Sequence, residues 1–123
     1  MIARPAVFTE RELDVMAVLW DSGSGTVAEV KDGIEDELAY TTVLTILRTL
    51  EDKGYVGHKE EGRAHRYHPL VSREEAQASH LERLLRKLFN NSPSLLLDRL
   101  VSHPGIPAKR RTDLKKALGT KSK

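Results

Sequence analysis

The chain has 123 residues, 39% hydrophobic and 31% charged, with no cysteine. That composition belongs to a globular protein and excludes disulfides, thiolate metal sites and cysteine nucleophiles. No apolar run approaches the roughly 18 residues of a membrane span, and the first residues lack the apolar centre of a signal peptide, so a cytoplasmic protein is expected. The net charge of +2 conceals an asymmetry: residues 1–71 hold eight Lys and Arg against thirteen Asp and Glu, whereas residues 72–123 hold twelve against five. A charge break at residue 71 predicts two parts, 1–71 and 72–123.

In chain order, three capping boxes mark helix starts: Thr9 with Glu12, Thr26 with Glu29, and Ser72 with Glu75. In each, the hydroxyl can accept the third helical N–H while the Glu reaches back. The first opens a helix in which Leu13, Met16, Ala17 and Trp20 recur at helical spacing. The second opens TVAEVKDGIEDEL, with Val27, Val30, Ile34 and Leu38 on one face and Gly33 as a weak point. A short junction, Leu38 to Tyr40, leads to a third helix whose Val43, Ile46, Leu47 and Leu50 form a buried stripe, with Gly54 as terminator. Tyr55 to Lys59 and Arg63 to His68 are strand-like, separated by Glu61-Gly62 and closed by Pro69, which predicts a hairpin.

Beyond Ser72 the pattern is helical. Leu81, Leu84, Leu85, Leu88 and Phe89 form one apolar stripe, broken by Asn90, Asn91, Ser92 and Pro93. A short helix follows with Leu96, Leu97, Leu100 and Val101 apolar, then a loop, then a last helix from Pro107 that buries Leu114, Ala117 and Leu118 and stops at Gly119, leaving a mobile tail. Three helices and a hairpin within about 70 residues have the order of a winged helix-turn-helix. The expected fold class is therefore mainly α with a small β-hairpin wing, followed by a C-terminal helical dimerisation region. Three amphipathic helices in some 50 residues cannot hide their apolar area alone. They are covered either by a second copy or by the winged part of the same chain. The interface candidates are Leu81, Leu85, Leu88, Leu96, Leu97, Leu100 and Leu114.

The third helix carries four threonines, although β-branched residues lose χ1 freedom in a helix. Advancing about 100° per residue from Val43, Thr41, Thr45, Arg48 and Asp52 fall opposite the apolar arc, and Thr42 and Thr49 share one flank. Short hydroxyl side chains and one arginine suit the DNA major groove. Threonine can hydrogen-bond phosphate or base edges and touch the thymine methyl, and arginine can reach guanine. Tyr40, at the helix start, can contact the backbone, where helix N-termini also favour phosphate. The plain alternative is a solvent face whose hydroxyls bond carbonyls one turn earlier. The hairpin tips the balance: Lys59, Arg63, His65, Arg66 and His68 are crowded together with Tyr67, as in a basic wing. Most acids of this half lie in the first two helices. Only Glu51 falls between Ala39 and Glu51, and local charge decides phosphate contact because screening sets in beyond about 8 Å.

TERELDVMAVLW, AYTTVLTILRTLEDKGYV and RAHRYHPLVSREE together resemble the penicillinase-repressor family of bacterial transcription factors (BlaI, MecI and the related CopY repressors). The similarity runs from about Phe8 to Glu75 and continues as a helical pattern to about Leu118. It rests on the first helix ending in Trp20, the T-[TV]-x-T-[IL]-L-x-x-L core and the G-R-A-x-x-Y wing. The resemblance implies a homodimeric winged-helix repressor of a palindromic operator. Thr41, Thr42, Thr45 and Arg48 then stand at recognition-helix positions, and Lys59, Arg63 and Arg66 at wing positions. Some relatives carry lysine at the position of Thr41 and arginine at that of Leu44, which implies a different or weaker operator code here. It also implies cleavage by a membrane-bound sensor protease at an Asn-Phe bond in the dimerisation helices, but the corresponding pair here is Arg99-Leu100. Copper-responsive relatives use paired C-terminal cysteines, and this chain has none.

No metal or other cofactor is expected. His58, His65, His68, His80 and His103 show no paired helical ligand spacing with a third donor, and His65 and His68 fall on opposite strand faces. No nucleophile–base pair, phosphate-cradling glycine loop or carboxylate pair is legible, so the chain reads as non-enzymatic. The competing function is a winged-helix protein–protein adaptor without DNA. It would show itself by an exposed apolar patch on the third helix.

Overall fold

The computed structural model describes the backbone of residues 6–121 and the side chains of residues 6–116. The elements are α1 (Glu10–Ser22), β1 (Gly25–Thr26), α2 (Val27–Gly33), α3 (Tyr40–Asp52), β2 (Val56–Glu61), β3 (Ala64–Pro69), α4 (Arg73–Leu88), α5 (Pro93–Val101) and α6 (Ala108–Lys121). They form two compact units that divide between Ser79 and His80, within α4 and C-terminal to the charge break at residue 71. No described helix is long and apolar enough to cross a membrane.

All three capping boxes form. Thr9 Oγ1 accepts from Glu12 N at 3.1 Å while Glu12 Oε1 accepts from Thr9 N at 2.8 Å. Thr26 and Glu29 do the same for α2, and Ser72 and Glu75 for α4. The buried face of α1 is Glu12, Val15, Met16 and Leu19; of the expected set, Met16 is fully buried and Leu13, Ala17 and Trp20 are partly so. From Leu13 to Trp20 this helix is apolar except at Asp14, so periodicity alone leaves its facing ambiguous. Trp20 instead packs edge-on to Phe8 and donates from Nε1 to Val71 O at 2.8 Å, tying α1 to the chain leaving the wing.

The helix expected over TVAEVKDGIEDEL stops at Gly33. Ile34 is extended at φ −90° and ψ 132°, and residues 34–39 form a loop longer than the junction expected. Three consecutive carboxylates, Glu35 to Glu37, would sit at the negative end of a longer helix, which disfavours it. Gly33 lies so close to α1 that a Cβ there would stand 2.9 Å from Val18 Cγ1. Ile34 and Leu38 still pack against the core, from the loop.

The third helix matches its expected stripe. Val43, Leu47 and Leu50 are fully buried and Ile46 partly so, in a centre shared with Met16, Leu19, Val30, Val56 and Tyr67. The hairpin turns at Gly62-Arg63, where Gly62 alone has positive φ (61°), as a type II′ turn requires. Arg63 is thus a turn residue and not the first residue of a strand. The sheet has a third member that the sequence analysis missed: β1 pairs antiparallel with β3, Gly25 opposite Tyr67 and Thr26 opposite Arg66.

In the second unit, Asn90 and Asn91 adopt φ 54° and 60° and end α4, with Asn91 N donating to Leu85 O at 2.9 Å. Ser92 Oγ then caps α5 with Pro93 in its first turn. The last helix runs past Gly119 to Lys121, so the expected stop is displaced. The side chains of Ala117 and Leu118 lie outside the described residues. Arg111 Nε donates to Val101 O at 2.8 Å and joins α6 to α5.

Glu12 is a charged residue only 5% exposed. Burial, the largest single influence, pushes its carboxyl pKa up; the Lys53 ammonium at 2.8 Å and the Thr9 hydrogen bonds outweigh it and bring the net value below the ordinary 4.5. A carboxyl depressed on folding stabilises above its unfolded pKa, and that contribution is lost as pH falls through the folded value. Glu12→Gln keeps an acceptor for the Thr9 N–H and removes the charge. We expect it to cost about 1 kcal/mol at pH 7, since Lys53 is half in solvent. The difference from the parent protein should vanish in urea titrations well below pH 4.5.

Candidate nucleic-acid interface

With Val43, Leu47 and Leu50 turned inward, the opposite side of α3 is open to solvent: Tyr40, Thr41, Thr42, Thr45 and Arg48 are all exposed. The hydroxyls of Thr41, Thr42 and Thr45 make no hydrogen bond among the described residues. Thr112, by contrast, does bond back one turn, to Ala108 O at 3.4 Å. Arg48 makes no hydrogen bond or ion pair among the described residues. Ala39, the N-cap, has no side-chain bond to the first turn, so its N–H groups are left for solvent or an anion. On this helix Leu44 and Ile46 are partly buried against the core, while Tyr40 is 50% exposed.

Beside α3 stands the wing. Residues directly opposite in the ladder share a face. His58 and Tyr67, and Glu60 and His65, point to the α3 side, whereas Lys59 and Arg66 point to the other. Tyr67 is buried at the root of the wing. Burial pushes its phenol pKa up; Glu51 adds to the rise, Arg48 opposes it and Tyr40 adds to it. These charges act on one phenol because the exposed part of α3 and the base of the wing are neighbours. His58 stacks on His65 at 4.2 Å and hydrogen-bonds through Nδ1 to Glu51 Oε2 at 2.6 Å. His65 is therefore exposed yet braced by a ring that is itself braced by α3. Neither His58 nor Glu51 stood out in the sequence as part of this surface.

The wing cations are not alike. Lys59 and Arg63 are exposed and make no ion pair among the described residues. Arg66, the third expected wing cation, is paired with two carboxylates. Its Nε and Nη2 donate to Glu61 at 2.7 and 3.0 Å, and its Nη1 and Nη2 donate to Glu29 at 2.9 and 3.1 Å. Nη1 also lies 3.4 Å from Ser24 Oγ. The guanidinium holds the carboxyls of Glu29 and Glu61 below their usual range. Among the described residues there is no cluster of three metal-ligating side chains.

The interface candidates of the second unit differ in exposure. Leu81 is 47% and Leu88 74% exposed in the single chain, and Leu100 is also exposed; Leu85, Leu96, Leu97 and Leu114 are half-buried.

Residues 8–120 match the pattern of a known family, described as penicillinase repressor. Two proteins called transcriptional regulator BlaI, from two strains of Mycobacterium tuberculosis, are 40% identical over 70 residues, covering 54% of this chain and 51% of theirs. The chain thus spans about half the length of the curated relatives it matches. The solution structure of the DNA-binding domain of the repressor BlaI superposes with a TM-score of 0.52 at 30% identity, over 61% of this chain and 93% of that one. The structure of the CopR repressor matches 53% of this chain and 97% of its own at 34% identity, with a TM-score of 0.46. The fold is a winged helix with a helical extension, and across nearly its whole length the chain belongs to the penicillinase repressor family.

Proposed function

We propose that the chain is a homodimeric, sequence-specific transcriptional repressor that binds a palindromic DNA operator. One observation carries this reading: α3 is anchored by three fully buried side chains and presents Thr41, Thr42, Thr45 and Arg48 outward, with no side-chain hydrogen-bond partner among the described residues. In this role Thr45 and Arg48 read base edges in the major groove, and Tyr40, Thr41 and Thr42 hold the backbone near the uncapped first turn. Lys59, Arg63 and His65 bring the wing to the adjacent phosphates. The C-terminal helices pair through Leu81, Leu85, Leu88, Leu96, Leu97, Leu100 and Leu114. A twofold axis then sets two α3 helices one DNA turn, or a multiple of it, apart. The relatives called transcriptional regulator and repressor support the same reading.

Selection from a random duplex pool tests it. A palindromic site should be recovered, with affinity falling steeply as salt rises. Failure to recover any site, with no salt dependence, would favour an adaptor that binds protein. On a recovered operator, Arg63→Ala should weaken binding to all sequences alike and flatten the log K against log salt slope by about one unit. Fluorescence anisotropy at several salt concentrations reads both effects.

A further inference from the structure

Arg66 sits on the wing, where a cation is expected to meet phosphate, yet its geometry argues otherwise. A guanidinium has five N–H donors in a fixed fork. Five contacts leave this one: two to Glu61, two to Glu29 and one towards Ser24. No donor is left for a phosphate. The arginine is also outnumbered by its two carboxylates, so the cluster as a whole repels a polyanion. The partners come from three places. Glu61 lies at the end of β2, Glu29 is the residue that closes the α2 capping box, and Ser24 precedes β1. Thr26, the cap itself, stands opposite Arg66 in the β1–β3 ladder. The side chain thus bolts the outer part of the wing to the start of α2, next to a sheet edge only two residues long.

We infer that Arg66 is a positioning residue that fixes the angle of the wing, so that Lys59 and Arg63 meet the DNA backbone while α3 is seated. The inference rests on the DNA-binding reading above. It makes a prediction opposite in sign to plain electrostatics. If Arg66 were a phosphate contact held in reserve, removing either carboxylate would free a cation, delete a negative charge and tighten binding. If it is a bolt, removing either carboxylate loosens the wing and weakens binding. Because all three side chains are partly in solvent, the pairs add little to overall stability. Affinity should therefore move while the melting temperature hardly does.

The test uses the full chain and the selected operator, with Arg66→Ala, Glu29→Gln and Glu61→Gln. Glutamine at position 29 preserves the capping box. Each variant is expected to bind about three- to tenfold more weakly, with an unchanged salt slope and an unchanged melting temperature. The Arg66→Ala/Glu29→Gln double variant should lose less than the two single losses multiplied together. A flattening of the slope by about one unit in Arg66→Ala, or unchanged or tighter binding by Glu29→Gln and Glu61→Gln, would overturn the inference and leave the repressor reading intact. If the parent protein itself prefers no DNA site, it is the repressor reading that fails.

Discussion

Leu81→Glu combined with Leu88→Glu is expected to leave the protein monomeric and to lower its affinity for a two-half-site operator by about 10²–10⁴-fold. These side chains are 47% and 74% exposed in the single chain, at seven-residue spacing on α4. Large exposed apolar patches mark interaction surfaces. Carboxylates there would be desolvated without partners on pairing, and each copy brings two. Affinity for an isolated half-site should stay as it is, because nothing in the winged-helix unit has changed. Sedimentation velocity and titrations against one- and two-half-site duplexes separate the two effects. A dimer that survives the double substitution would place the interface elsewhere.

Leu47→Ala should cost about 2–5 kcal/mol, a large part of the stability of a small domain. Leu47 is fully buried, inward on α3 and among the core residues of α1, α2 and the wing. Truncating it removes the contacts that hold α3 in place and leaves a cavity. A fall in Tm on the order of 10–30 °C is expected by calorimetry. Below that temperature the operator preference should be that of the parent, since no outward residue has been touched. Thr45→Ala is the counterpart: it should change stability by no more than about 0.5 kcal/mol, because the side chain is exposed.

What could be read from the sequence was local. The capping boxes need only residues three apart, and all three form. The facing of α3 follows from a clean apolar stripe against threonines, so the outward set Thr41, Thr45 and Arg48 was legible. The αL turn at Asn90-Asn91 and the Ser92–Pro93 start of α5 were likewise written in neighbouring residues. Non-local features were not. β1 is two residues long and exists only because β3 comes alongside it. The end of α2 depends on Gly33 meeting Val18 of another helix. Arg66 looked like Arg63 in sequence. Its distinguishing partner, Glu29, is 37 residues away and is also half of a capping box. The His58–His65 stack and its tie to Glu51 likewise require the hairpin register and the place of α3 beside it.

We propose that the threonine-lined side of α3 reads base edges. The most direct test is site selection repeated with Thr45→Ala and Arg48→Ala beside the parent protein. Each variant is expected to change the preferred base at particular positions, symmetrically in both half-sites, at a cost of about 1–3 kcal/mol on the parent operator. If both variants recovered the parent's site unchanged, with binding merely weaker to every sequence, the side chains would be touching only the phosphate backbone and the claim would be contradicted.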